Sequence, residues 1–232
     1  MSEHVDILAF GAHPDDVEIG AGGILAKQAA LGYKTAICEL TYAELSSNGD
    51  VETRKREGKK AAAILQLAGR YSLGFPDRGL TGTAEQIQEM VRLIRRLQPK
   101  VVLAPYWEDR HPDHVACSRL VKEAVFDAAI RKKVPEVAPH RVQRLYYYFI
   151  NNIGKADVIV DISTVYDKKR AAILAFESQF VPGPGRVATP LNQPSYLAMI
   201  EGRDQVWGHQ IGAAYGEGLV SGQPLALRDL VF

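Results

Sequence analysis

The sequence predicts an α/β protein with a mostly parallel sheet and helices packed on both of its faces. Three observations predict it. Short apolar runs alternate with longer helical stretches through the first two-thirds of the chain, the pattern of a wound sheet. Gly32, Gly69 and Pro99 stand at junctions where a helix should stop. The chain has 232 residues, 47% hydrophobic and 24% charged, enough for a sizeable core in one domain spanning 1–232.

Val5 to Phe10 is mostly apolar and reads as a buried strand. A helix follows from about Val17 to Leu31. Thr35 to Leu40 is the second strand, and a polar loop runs to about Asp50. Val51 to Ala68 is an amphipathic helix with Ala61, Ala62, Ile64, Leu65 and Ala68 inward. Tyr71 to Leu73 is a short third strand, and residues 74–79 form a turn-rich loop. Thr83 opens the next helix, with Gln86 completing a capping box. Val101 to Ala104 is the fourth strand, followed by a helix from about His114 to Lys132. Leu145 to Ile150 and Val158 to Ile162 are two further strands. Tyr166 to Phe176 and Ser195 to Gln210 are helical, separated by an irregular loop over 182–194 with four Pro and two Gly, and a mixed tail closes the chain. The expected winding is a Rossmann-like three-layer sandwich with strand order 3-2-1-4-5. Ligands in such folds bind beyond the carboxyl ends of the strands, at the switch point between strands 1 and 4.

Composition narrows the function. There are 28 Lys and Arg against 27 Asp and Glu, a formal net charge of +1. Such a chain has no broad attraction for nucleic acid or an anionic membrane. No apolar stretch approaches the length of about 20 residues needed to cross a bilayer, and the first residues do not form a secretory signal. The expected location is the cytoplasm. Cys38 and Cys117 read as reduced core thiols.

The chemistry gathers at the two expected switch-point loops. After strand 1 the chain reads Gly11-Ala12-His13-Pro14-Asp15-Asp16-Val17-Glu18. After strand 4 it reads Trp107-Glu108-Asp109-Arg110-His111-Pro112-Asp113-His114. Three of the six histidines fall in these segments. A divalent ion with mixed nitrogen and oxygen preference needs about three protein ligands and an open position. His13, Asp16 and His114 supply two imidazoles and a carboxylate. Asp15, beside a ligand, is a candidate general base. Asp113 is placed to hydrogen-bond His111 and raise its pKa. His-Pro-Asp is also a sound turn, and Asp15, Asp16 or Asp113 a sound helix N-cap. The coincidence of both segments at one switch point favours the metal. Two histidines and a carboxylate suit Zn2+ and Fe2+ alike.

Other motifs are weaker. Gly20-Ala21-Gly22-Gly23 lacks the dinucleotide spacing and lies inside the first helix, where small residues permit close helix–sheet packing. Neither a phosphate-binding Gly-x-x-x-x-Gly-Lys motif nor a Gly-x-Ser-x-Gly nucleophile elbow occurs.

These segments resemble the two signatures of the LmbE-like or PIG-L family of metal-dependent N-deacetylases. Thr53 to Glu57 and Gly74 to Asp77 are similar to further segments of that family. Phe176 to Phe180 and Tyr215 to Gly218 resemble its bacillithiol-biosynthesis members, with Gly216 where Ala is expected. The resemblance implies a zinc-dependent N-deacetylase with ligands His13, Asp16 and His114, Asp15 as base, and Asp113 with His111 as a relay pair. It implies substrate-binding roles for Arg54, Arg110 and Tyr196, the last approaching the reacting carbonyl. The implied substrate is N-acetylglucosaminyl malate, a small N-acetylated amino-sugar conjugate, and the implied assembly is a homo-oligomer, a hexamer among close relatives. A broader N-acetylglucosamine or chitin-oligosaccharide deacetylase is the alternative. A non-catalytic metal- or ligand-binding module and a two-metal phosphoesterase are the more distant rivals.

Overall fold

The computed structural model describes residues 3–225. Its strands are β1 (Ile7–Gly11), β2 (Thr35–Thr41), β3 (Gly69–Phe75), β4 (Val101–Pro105), β5 (Arg144–Tyr148), β6 (Val158–Asp161) and β7 (Gly216–Ser221). Its helices are α1 (Asp16–Ala30), α2 (Val51–Leu65), α3 (Ala84–Leu97), α4 (Pro112–Ala128), α5 (Tyr166–Leu174), the single turn α6 (Glu177–Phe180) and α7 (Pro194–Gln210). The seven strands form one sheet in the order β3-β2-β1-β4-β5-β7-β6. The predicted order 3-2-1-4-5 is its parallel part.

Strand pleat explains the two cores. Ile7 and Ala9 of β1 face one side, with α1, α2, α5 and α7. Leu8 and Phe10 face the other, with α3 and α4. Alternate side chains of a strand point to opposite faces, so an all-apolar strand buried on both sides is what a central parallel strand needs. Cys38 and Cys117 are both buried in the second core and unbonded to each other, as expected of core thiols.

Gly20 shows why the small residues of α1 matter. A Cβ there would lie 2.2 Å from the Tyr148 ring and 2.6 Å from the Phe149 carbonyl. The glycine lets α1 sit directly on the exit of β5, while Tyr148 donates its hydroxyl to Phe10 O at 2.7 Å.

The tail departs from expectation. Residues 216–221 form β7, which lies antiparallel between β5 and β6. Gly216, Glu217 and Gly218 carry no apolar alternation, so the strand has no sequence signature. The residues past 225 lie outside the described part. A Cβ on Gly216 would meet Ile159 at 2.7 Å and the Gly208 backbone nitrogen at 3.0 Å. Close approach of α7 explains glycine where the family resemblance suggests alanine.

Two helix ends also move. α2 stops at Leu65, with Gln66 at φ 59° as a left-handed cap. α4 stops at Ala128 because the buried Arg95 collects the following carbonyls. It donates to Ala128 O at 3.0 Å, Val134 O at 2.6 Å, Val137 O at 2.8 Å and Ile130 O at 2.7 Å. The capping box is shifted by one residue: Thr83 Oγ1 accepts from the Gln86 N–H, but Gln86 Oε1 accepts from Gly82 rather than Thr83.

The Pro-rich stretch is irregular and pinned to the loop after β2. Asn48 donates to Val187 O at 2.9 Å and accepts from the Val187 N–H at 2.8 Å. No helix among the described residues is long and apolar enough to cross a membrane.

Candidate metal centre

β1 and β4 are parallel neighbours, pairing Ile7 with Val101 and Ala9 with Leu103. Their following loops therefore leave the same edge of the sheet side by side. The backbone at Asp15 is strained, with φ 109° and ψ −26°, and its side chain does not cap α1. For a non-glycine residue such a conformation costs about 1–3 kcal/mol. The strain turns the carboxylate away from the helix end and towards Arg54. At the second loop, His111 is the N-cap of α4, its Nδ1 accepting the Asp113 N–H at 3.2 Å. Neither Asp15 nor Asp113 is a side-chain cap here.

The structure brings His13, Asp16 and His114 together. Asp16 is only 2% exposed. Its Oδ1 lies 3.0 Å from His114 Nε2, and its Oδ2 lies 3.6 Å from His13 Nδ1. Asp16 Oδ2 also accepts the His13 N–H at 2.9 Å, which closes the first loop on itself. His13, His111 and His114 each bring a ring nitrogen within 4.8 Å of the others.

Each of the first and last rings has carboxylates behind it. His114 Nδ1 lies 3.0 Å from Asp109 Oδ1. His13 Nε2 lies 3.3 Å from Asp77 Oδ1 and 3.4 Å from Asp113 Oδ2. Such outer partners fix the tautomer and orientation of a ligating imidazole. Asp109 carried no assigned role in the sequence, and Asp77 reads there only as a sugar-hydroxyl contact or a loop cap. The usable signal was that a ligating histidine needs an outer carboxylate, and both stand in loops after sheet strands.

The predicted pairing of Asp113 with His111 is corrected. The Asp113 carboxylate is spent on His13 and on Arg78, accepting from Arg78 Nη1 at 2.8 Å and from its backbone N–H at 2.9 Å. Residues two apart at a helix start do not face each other, so His111 receives only the backbone of Asp113. Its pKa is not raised as expected. Burial lowers it below the ordinary histidine value, and the nearby rings of His13 and His114 add to the effect.

Electrostatics favour positive charge in the cluster. Burial opposes charge on His13, but Asp113, Asp16 and Asp77 outweigh it and hold His13 well above its ordinary value. His114 is raised to about 9, because Asp16 and Asp109 likewise overcome burial. Asp16 is held well below the carboxylate range by the two imidazoles, against the cost of burial. The cluster thus gathers positive charge around a buried carboxylate. Two imidazoles and a carboxylate, with acidic partners behind them, fit a divalent cation of mixed nitrogen and oxygen preference.

The remaining predicted residues surround this centre. Arg54 is 2% exposed. It donates to Asp15 Oδ2 at 3.1 Å, to Ser46 Oγ at 2.8 Å and to Pro14 O. That guanidinium is already engaged by its own chain, and it anchors Asp15. Burial raises Asp15 to about 7, with Arg54 pulling the other way. Arg110 is exposed. Tyr196 is buried and donates its hydroxyl to Asn151 Oδ1 at 3.1 Å. Burial and the charge of Asp15 raise its pKa. Asn151, unremarked in the sequence, donates to Asp109 from both its amide and its backbone nitrogen.

The chain matches the family described as "PIG-L: GlcNAc-PI de-N-acetylase" over residues 8–125. It is 31% identical to the diacetylchitobiose deacetylase of Thermococcus kodakarensis, over 92% of this chain and 81% of that protein. It is 30% identical to the probable N-acetyl-alpha-D-glucosaminyl L-malate deacetylase 2 of Bacillus subtilis, over 77% of this chain and 84% of that protein. Among solved structures, the conserved protein TT1542 from Thermus thermophilus matches with a TM-score of 0.89 at 40% identity, over 98% and 99% of the two chains.

Proposed function

This chain belongs to the PIG-L (GlcNAc-PI de-N-acetylase) family, and on that premise we propose that it is a zinc-dependent hydrolase that removes the N-acetyl group from an N-acetylglucosaminyl conjugate. One observation carries the reading: a buried carboxylate, Asp16, set between two imidazoles with the strained Asp15 beside it. Zn2+ held by His13, Asp16 and His114 would supply Lewis acidity and make a water nucleophilic near neutral pH; Fe2+ suits the same donors.

The chain's own groups do the rest. Asp15, poised at about 7, takes the proton of the attacking water, since a base works best with a pKa near the working pH. Arg54 holds its carboxylate in place. His111 accepts a hydrogen bond at Nδ1, so its neutral ring keeps its proton at Nε2 and can donate it to the developing oxyanion. Asp113 orients His13 and Arg78. Asp15, once protonated, gives its proton to the leaving amine. Arg110, exposed and without an ion pair among the described residues, is suited to a carboxylate on the substrate.

The substrate we favour is N-acetylglucosaminyl malate, whose malate carboxylates suit Arg110 and which the Bacillus subtilis relative's name specifies. The resemblance to a diacetylchitobiose deacetylase supports a broader alternative. Amine release from N-acetylglucosaminyl malate, diacetylchitobiose and N-acetylglucosamine separates the two. We expect kcat/KM for the malate conjugate to lead by at least about tenfold, the worth of one good charged contact. A lead for diacetylchitobiose would favour the broader enzyme, and no amine from any of them would end the deacetylase reading.

A further inference from the structure

Asn151 stands three residues past the end of β5, at the same sheet edge as the metal centre. Its side chain bridges the carboxylate behind His114 and the Tyr196 hydroxyl. Nδ2 donates to Asp109 Oδ1 at 2.9 Å, and its backbone N–H donates to Asp109 Oδ2 at 3.2 Å. Asp109 in turn lies behind His114 and accepts the His111 N–H at 2.8 Å. On its other side, Asn151 Oδ1 accepts from the Tyr196 hydroxyl at 3.1 Å.

We infer that Asn151 is a positioning residue that fixes both the place and the proton direction of the Tyr196 hydroxyl by locking its own amide onto Asp109. An amide can usually flip, exchanging its oxygen and nitrogen. Here it cannot. An ionised carboxylate only accepts, so the amide nitrogen must face Asp109 and the oxygen must face Tyr196. The amide oxygen also only accepts, so the hydroxyl must donate to it. The Tyr196 proton is therefore held on Asn151 while the site is at rest. It swings to a reacting oxygen by rotation about a single C–O bond, without moving the ring.

The surrounding chain makes the hold rigid. Arg203 lies seven residues after Tyr196, two helical turns along the same face of α7. It donates to Phe149 O at 3.1 Å and Ile150 O at 2.8 Å, the carbonyls just before Asn151, and to Ile19 O of α1 at 2.8 Å. One helix therefore places Tyr196 and clamps the strand exit that carries its partner.

This inference rests on the deacetylase reading, and its test separates the two. Acetate release is measured on the zinc-loaded full chain for the wild type, Asn151→Ala, Tyr196→Phe and the double variant. Each single change should lower kcat about tenfold while KM stays within about twofold, since positioning acts on the transition state. The double variant should lose no more than either single one, with zinc content unchanged. Losses that multiply, or an unchanged kcat in Asn151→Ala, overturn the inference. If Asn151→Ala fails to fold, Asn151→Leu, a near-isostere that leaves no cavity, replaces it. A wild type that releases no acetate ends the deacetylase reading alone. The inference is then decided by NMR: a slowly exchanging Tyr196 hydroxyl proton should be present in the wild type and lost in Asn151→Leu, and its persistence in the variant overturns it.

Discussion

Two of the buried ionic clusters among the described residues are built on opposite principles. The first joins α5, α7, β7 and α1. Lys169 bonds Asp204 and reaches Glu217 at 2.8 Å, while Arg203 meets Asp204 at 3.2 Å. Glu217 also accepts the N–H groups of Gly23 at 2.9 Å and Ile24 at 2.6 Å. Its two cations match its two carboxylates, and its oxygens are met by donors. The second cluster is the candidate metal centre. Asp15, Asp16, Asp77, Asp109 and Asp113 are set, among the described residues, against Arg54 and Arg78 as permanent cations. Imidazoles fill the gap, and they can carry either protons or a metal. A balanced cluster holds helices together. On the proposed reading the unbalanced one, rich in imidazole at the sheet's carboxyl edge, is built for a cation that the chain does not itself encode.

The comparison breaks most sharply on a pair of substitutions. Asp16→Ala removes the centre of the unbalanced cluster. Zinc content should fall well below one per chain, and turnover should drop by at least about a thousandfold, because Lewis acidity is worth several kcal/mol. Lys169→Met removes a cation from the balanced cluster and leaves Arg203 alone against two buried carboxylates. That should cost about 3–5 kcal/mol of stability, a fall in Tm of roughly 10 °C, while the folded fraction keeps its zinc. Elemental analysis and thermal unfolding on both variants decide the matter. Zinc lost from Lys169→Met, or retained by Asp16→Ala, would erase the distinction between the clusters.

Within the unbalanced cluster, Asp15→Asn sharpens the division between holding and reacting. The variant keeps His13, Asp16 and His114, so zinc should remain. Turnover should fall about a hundredfold or more, the usual worth of a positioned base. Wild-type turnover in that variant would remove Asp15 from the proton-taking role, and loss of zinc would make it part of the binding set instead.

The same contrast explains what was legible in the sequence. The strand–loop–helix repeats are local patterns, so the parallel order β3-β2-β1-β4-β5 and the meeting of residues 13–16 with 111–114 could be read directly. Glu217 could not. It is a buried charge between two glycines in β7, and only distant partners, Lys169 and the N–H groups of Gly23 and Ile24, make that placement tolerable. Asp109 was ambiguous for another reason. Glu108, Asp109 and Asp113 all lie near His114 in sequence. Which of them stands behind it depends on α4 starting at Pro112, which turns the Asp113 carboxylate towards His13. Arg54 was visible as a charge in a charged helix, but its burial against Asp15 follows from packing of α2 beside α1.

The smallest expected effect is a slope rather than a loss. Without metal, His114 titrates at about 9 instead of its ordinary 6.5, and His13 is displaced in the same direction. A histidine raised by folding stabilises the fold fully below its unfolded pKa and loses that contribution as pH climbs towards the folded value. Chelator-stripped protein should therefore lose about 2 kcal/mol between pH 6.5 and 8.5, a fall in Tm of roughly 5 °C. Zinc-saturated protein should show little of this slope, because a ligating imidazole nitrogen cannot also carry the proton. In Lys169→Met both curves should drop together and keep their difference, since the balanced cluster takes no part in the exchange of protons for metal. Equal slopes with and without zinc would mean that the protons and the cation do not compete for the same nitrogens, and the unbalanced cluster would then be a structural one after all.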